Sequence, residues 1–360
     1  MFTFRNYVKF ESFMLDIIQS DGWPDCVQIC QTYYYFDVWH MRSWCFERSR
    51  GRVGSRTRTY LIRMHIGAYG KMTVKMAIPN KGRLNERAIE LLTKAGIDLG
   101  PSWGRSLNIK IPNLDLEVIF VRAQDIPVFI QSGAVDFGIT GQDVAAEAGA
   151  DLVLLQNLRF GHCRFSIIVP EDSKVKKAKD LKDGVRVATT FPRITKAYFD
   201  DIGIKAEIVN VQGAAEIMPY LGVSDIISDL VETGGTLRTN HLREVDTVMT
   251  SDACLFSSEK ALKDAAKKAK IEEISDAIKS VLDADAKKYV MADVPRSKLA
   301  EVEKIVPGIG GPTVLEIAGN RDFVAVHAVV SGKDTYQVVR DLKKLGAKGI
   351  LTMPIERMVE

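Results

Sequence analysis

Residues 216–237 read EIMPYLGVSDIISDLVETGGTL, and the fold of the whole chain can be worked out from this stretch. A short helical piece leads to a turn at Gly222, an apolar strand over 224–228, the acid Asp229, and then a loop of Thr and Gly. Thr233 and Thr236 put hydroxyls at the two ends of that loop, and Gly234 and Gly235 between them lack a Cβ. The backbone N–H groups of such a loop fold into a concave nest that holds a phosphate, with the hydroxyls as added donors. Asp229 and Glu216 place two carboxylates close by, a chemistry suited to sugar hydroxyls or a metal ion. A Gly-rich connection after a buried strand satisfies TGGT equally well. It is the combination with the acids that points to a site.

Outward from this stretch, apolar strands alternate with amphipathic helices. Strands are predicted over 73–79, 107–111, 116–121, 135–140, 152–155, 164–169, 185–189 and 206–209, with a return strand over 245–255. Helices are predicted between them: one capped by Asn85, one opening at Asp125 with Pro127 in its first turn, one after Pro192, and one from Ala214. Residues 259–285 read as one long Ala/Lys/Glu helix. This is an α/β pattern with mainly parallel sheet. From residue 288 the order changes to strand, helix, strand, strand, helix, strand. That βαββαβ order is the ferredoxin-like arrangement of small ligand-sensing modules.

Composition narrows the function classes. A chain of 360 residues has room for several domains and a substantial core. No apolar run approaches the roughly 18 residues of a membrane span, so no membrane role is expected. Residues 1–71 hold ten Lys/Arg against six Asp/Glu, out of 49 and 46 in the chain, so the remainder is close to neutral and offers no general nucleic-acid face. The same segment carries three of the four Trp and six arginines between 48 and 63, a texture unlike everything after it. It reads as an atypical leader outside the functional fold, with the functional chain starting at Met72; a nucleic-acid arm is the alternative use of its arginines. The five cysteines form neither a CxxC pair nor a zinc spacing, which suits a reducing, cytoplasmic setting.

Polar residues and cations gather where strands end, and in open α/β sheets ligands bind at the carboxyl ends of strands. Lys81, Arg83, Arg122, Arg164, Arg193 and Arg238 are the cations so placed. Lys81-Gly82-Arg83 is the best of them, between an apolar strand and a helix N-terminus, where anions are favoured. No GxSxG, P-loop or strand-following GxGxxG is present, and His162 beside Cys163 gives no useful triad geometry. Phosphate chemistry here needs a different cradle.

With Glu216, Gly222, Ser224, Ile227, Asp229, Leu230, Thr233, Gly234, Thr236 and Leu237, the opening stretch resembles the signature of the ATP phosphoribosyltransferase family at every constrained position. AIPNKGRL, RAQDIP, DFGITGQD, LRFGHCR and GAKGILTMPIERM are similar to the same family, so the resemblance spans about residues 72–360. It implies two catalytic lobes like periplasmic binding proteins, residues 72–164 with 247–285 and residues 165–246. It also implies a regulatory histidine-binding domain, residues 286–360, the mark of the long form.

The implied reaction moves phosphoribose from phosphoribosyl pyrophosphate (PRPP) to ATP with Mg²⁺, its protein ligands unassigned. Pyrophosphate leaves, no covalent enzyme intermediate forms, and histidine inhibits. By the same resemblance Glu216 and Asp229 hold the ribose hydroxyls and Thr233, Gly234, Gly235 and Thr236 cradle the 5-phosphate. Lys81, Arg83, Arg122 and Arg164 meet pyrophosphate or ATP, while Asp293, Ile309, Thr313 and Gly349 line the histidine pocket. The family assembles dimers and hexamers, so a homo-oligomer is expected. A non-catalytic binding protein of the periplasmic type is the alternative, and it would bind ligand without consuming ATP.

Overall fold

The computed structural model describes residues 73–100 and 106–359, so the leader read over residues 1–71 lies outside the described residues. The chain begins β1 (Val74–Pro79), α1 (Arg83–Lys94), β2 (Asn108–Ile111), β3 (Leu116–Val121), α2 (Ile126–Ser132), β4 (Phe137–Gly141), α3 (Gln142–Ala148) and β5 (Val153–Asn157). It continues β6 (Cys163–Pro170), β7 (Arg186–Thr189), α4 (Pro192–Asp201), β8 (Glu207–Asn210), β9 (Ile226–Val231), α5 (Gly235–Thr239) and β10 (Leu242–Ser251). Then come β11 (Ala253–Ser257), α6 (Glu259–Lys263), α7 (Ala265–Asp285), β12 (Lys287–Pro295), α8 (Leu299–Ile305), β13 (Thr313–Ile317), β14 (Asn320–Ser331), α9 (Thr335–Lys344) and β15 (Lys348–Pro354).

These strands form three sheets, ordered β2-β3-β1-β4-β11-β5, β10-β6-β9-β7-β8 and β13-β14-β12-β15. The first two belong to the two α/β lobes. They are mixed rather than mainly parallel: β1 runs parallel to β3 and β4, whereas β2 and β11 run antiparallel to their neighbours. In the second sheet β7 runs parallel to β8 and β9, and β6 antiparallel to β9 and β10. Parallel neighbours need a long crossover. β6 and β11 instead arrive from the other sheet through short connections, so they enter against the local direction.

The run expected as one strand over 245–255 is split at Asp252, with β10 in the second sheet and β11 in the first. A strand-like run does not by itself reveal which sheet each half joins. Asp252 ties the two crossings together: one carboxylate oxygen meets His162 Nδ1 at 3.0 Å, and the other accepts from Asn157 Nδ2 at 2.9 Å. Beside it the Ser251 hydroxyl donates to Asp143 at 2.5 Å and accepts from the Asp143 N–H at 3.0 Å, both side chains being buried. β6 pairs with β10 from Cys163 opposite Ser251 onward. The second sheet therefore takes in 163–164 and 247–251, which the sequence division had given to the first lobe.

Strands β1 and β4 sit at the centre of the first sheet and are buried along almost their whole length, the signature of strands covered on both faces. On one face Met76, Phe137 and Ile139 pack with Leu92 of α1 and Ile274 of α7; on the other Ala77 and Phe256 meet Ile126 and Ile130 of α2. Gly138 lies where β4 approaches β1 and α2 most closely: a Cβ there would stand 2.6 Å from the Ala77 carbonyl oxygen and 3.1 Å from Ile126 Cγ2. Gly138→Ala is expected to destabilise the fold by about 1–3 kcal/mol through overpacking. An unchanged melting temperature would contradict this packing.

Three local expectations need correction. Asn85 does not cap α1; it lies inside the first turn, where its Nδ2 donates to the Pro79 carbonyl at 2.6 Å and fixes the β1–α1 corner. The helix expected from Ala214 is a single 3-10 turn, Ala215–Ile217, because Pro219 and Gly222 follow at once. The helix expected over 259–285 breaks at Asp264, whose carboxylate accepts from the N–H groups of Ala266 and Lys267 and caps α7.

The third sheet is antiparallel throughout. Numbering its strands one to four along the chain gives the lateral order two-three-one-four, which is the ferredoxin-like order. Helices α8 and α9 cover one face, packing Val302, Val338 and Leu342 against Val290, Val294 and Val326.

Candidate active site

Strand β9 is hydrogen-bonded on both sides, to β6 and β7, and its residues Ile226, Ile227 and Ser228 are buried. Its start is pinned by Arg186 of β7, which reaches Asp225 through Nη2 at 2.7 Å and the Gly222 carbonyl through Nη1 at 2.9 Å. Asp229 comes near the carboxyl end, partly buried, with its Oδ1 accepting from the Leu230 N–H at 2.7 Å. Desolvation pushes its carboxyl above the usual carboxylate range, and the negative charge of nearby Glu216 adds to the shift. The structure therefore brings Glu216 and Asp229 together, the first from the 3-10 turn and the second from the strand.

Past β9 the chain turns at Gly234, whose φ of 73° lies in the left-handed region that disfavours side chains. Gly235 then opens α5, and Leu237 buries itself beside Ile227 and Val231 to anchor the loop. Thr233 and Thr236 are left exposed next to the first N–H groups of the helix, which have no intrahelical partner. The predicted cradle is thus a tight turn into a helix start, at the carboxyl edge of the second sheet beside Asp229.

The cations divide into two groups. Lys81 and Arg122 follow β1 and β3, are exposed, and have no ion-pair partner among the described residues. Arg83 pairs with Glu232, in the loop just before Thr233, linking the edge of the first lobe to the cradle. Arg164 is engaged inside its own lobe: Nε and Nη2 meet the two carboxylate oxygens of Glu244 at 3.2 and 2.9 Å. Arg193 takes a different part. The Arg193 and Ile194 N–H groups at the start of α4 donate to the Glu147 carboxylate of the first lobe, both at 2.9 Å. Sequence reasoning missed Glu232, Glu244 and Glu147, which appear in no local motif and acquire their partners only through the fold.

Burial pushes the Cys163 thiol up to about 11, with Asp143 nearby adding to the shift, which disfavours the thiolate a nucleophile needs.

In the C-terminal sheet, Asp293 of β12 lies against Gly349 of β15, where a Cβ would stand 3.5 Å from Asp293 Oδ2. Thr313 lies two strands away on β13, opposite His327 of β14. Ile309 is exposed in the loop before β13. Asp293 and Gly349 are therefore brought together, and Thr313 and Ile309 are not in direct contact with them. His327 Nδ1 meets the Tyr289 hydroxyl at 2.6 Å on the same open face.

Two α/β lobes joined by paired crossings, with a Thr/Gly turn and two acids at a strand end, make this a two-lobed α/β protein with a candidate ligand site at the carboxyl edge of its second sheet. Sequence comparison gives the particular family. The ATP phosphoribosyltransferase profile matches residues 122–280, and the HisG C-terminal domain profile matches 284–357. The ATP phosphoribosyltransferase of Methanopyrus kandleri is 47% identical over 286 residues, 79% of this chain and 99% of that protein. That of Methanothermobacter thermautotrophicus is 42% identical over 80% of this chain and all of that protein. Among solved structures, an ATP phosphoribosyl transferase (HisG:HisZ) complex from Thermotoga maritima matches with a TM-score of 0.53 at 26% identity, covering 59% of this chain and 100% of the matched one. The chain belongs to the ATP phosphoribosyltransferase family, which carries out the first step of histidine biosynthesis, and its C-terminal domain makes it the long form, under histidine feedback. Among the described residues no helix is long and apolar enough to cross a membrane.

Proposed function

We propose that PRPP binds in the second lobe with its ribose hydroxyls on Asp229 and Glu216 and its 5-phosphate on Thr233, Gly234, Gly235 and Thr236. ATP and the departing pyrophosphate are met by Lys81, Arg83, Arg122 and Arg164. The observation that carries this reading is Asp229: a desolvated carboxylate, coupled to a second acid, one short turn from a helix start. Burying an acid at a strand end without a cation beside it is costly. A ligand that donates two hydroxyls offsets that cost. As the anomeric carbon develops positive charge, the two carboxylates stabilise it, and the remaining work is positioning.

Magnesium suits this donor set as an ion carried on the substrate phosphates. Mg²⁺ usually keeps several waters and takes one or two protein carboxylates together with phosphate oxygens. Asp229 and Glu216 supply two, and no group of three or more ligating side chains converges among the described residues. The ion would neutralise charge on the leaving pyrophosphate.

Self-association is supported by the open face of the C-terminal sheet. Leu315, Leu351 and Met353 project from the face opposite the helices and are about half exposed, an apolar surface of the kind that marks interfaces.

The test is calorimetric binding of PRPP with Mg²⁺. Thr233→Val and Thr236→Val each remove a hydroxyl donor to a charged group, so about tenfold weaker binding is expected. Wild-type affinity in both variants would refute the cradle.

A further inference from the structure

Strand β10 carries a carboxylate whose placement has consequences for the site. Its ladder with β6 slips twice, between Glu244 and Asp246 and between Thr247 and Met249. Such bulges re-aim side chains next to active sites. Here they send Val245 and Val248 into the core on one face of the second sheet, while the Glu244 carboxylate reaches Arg164 and Ser166. Glu244 is satisfied by three donors: Arg164 Nε at 3.2 Å, Arg164 Nη2 at 2.9 Å and the Ser166 hydroxyl at 2.7 Å. The side-on pairing fixes the guanidinium plane and leaves Nη1 uncommitted among the described residues.

The register places this network beside the acid of the site. Ser166 stands opposite Asp229, and Arg164 stands opposite Val231, two residues on. All three residues point to one face, and diagonal neighbours of this kind are about 7–8 Å apart. A long guanidinium side chain spans that gap. A free Arg164 could therefore swing onto Asp229, and nothing on β9 itself prevents it. Yet Asp229 has no ion-pair partner among the described residues, and its Oδ1 accepts from the Leu230 N–H of its own strand.

We propose that Glu244 is a positioning residue of the transfer reaction, clamping Arg164 away from Asp229 and aiming its free Nη1 edge at the anionic pyrophosphate of the substrate. The proposal rests on the reading of Asp229 as the ribose-binding acid. Two needs are met by one carboxylate: Asp229 stays available for hydroxyls, and Arg164 is pre-oriented for a phosphate oxygen. Ser166 holds the clamp from the same strand as Arg164.

Steady-state kinetics on wild type, Glu244→Ala, Arg164→Ala and the double variant tests it. Glu244→Ala is expected to raise KM for PRPP about tenfold with a smaller change in kcat. In the Arg164→Ala background the Glu244 substitution should have no further effect. Where Glu244→Ala fails to fold, Glu244→Gln keeps the volume and is read in its place, with the same expected direction. Wild-type kinetics in the Glu244 variants, or a KM effect undiminished when Arg164 is absent, overturns the clamp and leaves the site reading standing. Absence of any PRPP-dependent turnover in the wild type overturns both.

Discussion

Asp229→Asn is expected to lower phosphoribosyl transfer by about a hundredfold or more while making the protein more resistant to unfolding at neutral pH. Both effects come from the same burial. The desolvated carboxylate holds its proton more tightly in the folded chain than in the unfolded one. Stability therefore falls as pH rises from the ordinary carboxylate range through the raised folded value, and above that the penalty is complete. Asn keeps the acceptor for the Leu230 N–H and carries no charge, so it escapes the penalty. Melting curves of the two proteins should converge in acid and separate toward neutral pH, with the variant higher. Turnover should move the other way, since an amide stabilises neither the ribose hydroxyls nor the charge developing at the anomeric carbon as a carboxylate does. A variant that is fully active, or less stable at neutral pH, would show that Asp229 is structural.

Asp293→Ala is expected to raise the histidine concentration needed for half-inhibition by about tenfold or more, because Asp293 is the one carboxylate among the residues that the family resemblance places in the histidine pocket, and the effector carries an amine for it to pair. A hydrogen-bonded charge pair of that kind is worth about 1.5–3 kcal/mol. The measurement is turnover against histidine concentration, scaled for each protein to its own rate without histidine. The side chain is accessible for this role. It lies on the sheet face away from α8 and α9, at a register slip between β12 and β15, with Gly349 leaving space beside its carboxylate. Inhibition at wild-type concentrations would remove Asp293 from the pocket and transfer the effector to another part of the open face, where Thr313 and the Tyr289–His327 pair stand.

The elements legible in the sequence were those whose pattern is local. Residues 224–237 show their apolar strand, acid and Thr/Gly turn in order, and the structure folds them as β9, the Gly234 turn and α5. The C-terminal βαββαβ order was legible for the same reason. What escaped depends on distant partners. The run through Val245 to Leu255 reads as one continuous strand, and only pairing with β6 on one side of Asp252 and β4 and β5 on the other divides it between two sheets. Asp264 looked like one more charge in a long helix until its side chain took up the N–H groups of the next turn. Arg164 was legible as a cation near a strand end; that it is clamped by Glu244, eighty residues later, was not. Glu147 likewise gains meaning only when the second lobe brings the start of α4 to it.

The most direct measurement is pyrophosphate release from PRPP by wild type and by Asp229→Asn, each with and without ATP. Release by the wild type that requires both substrates, and that falls at least about a hundredfold in Asp229→Asn, is the predicted result. Binding of PRPP with no ATP-dependent release, or release undiminished by the substitution, would contradict it.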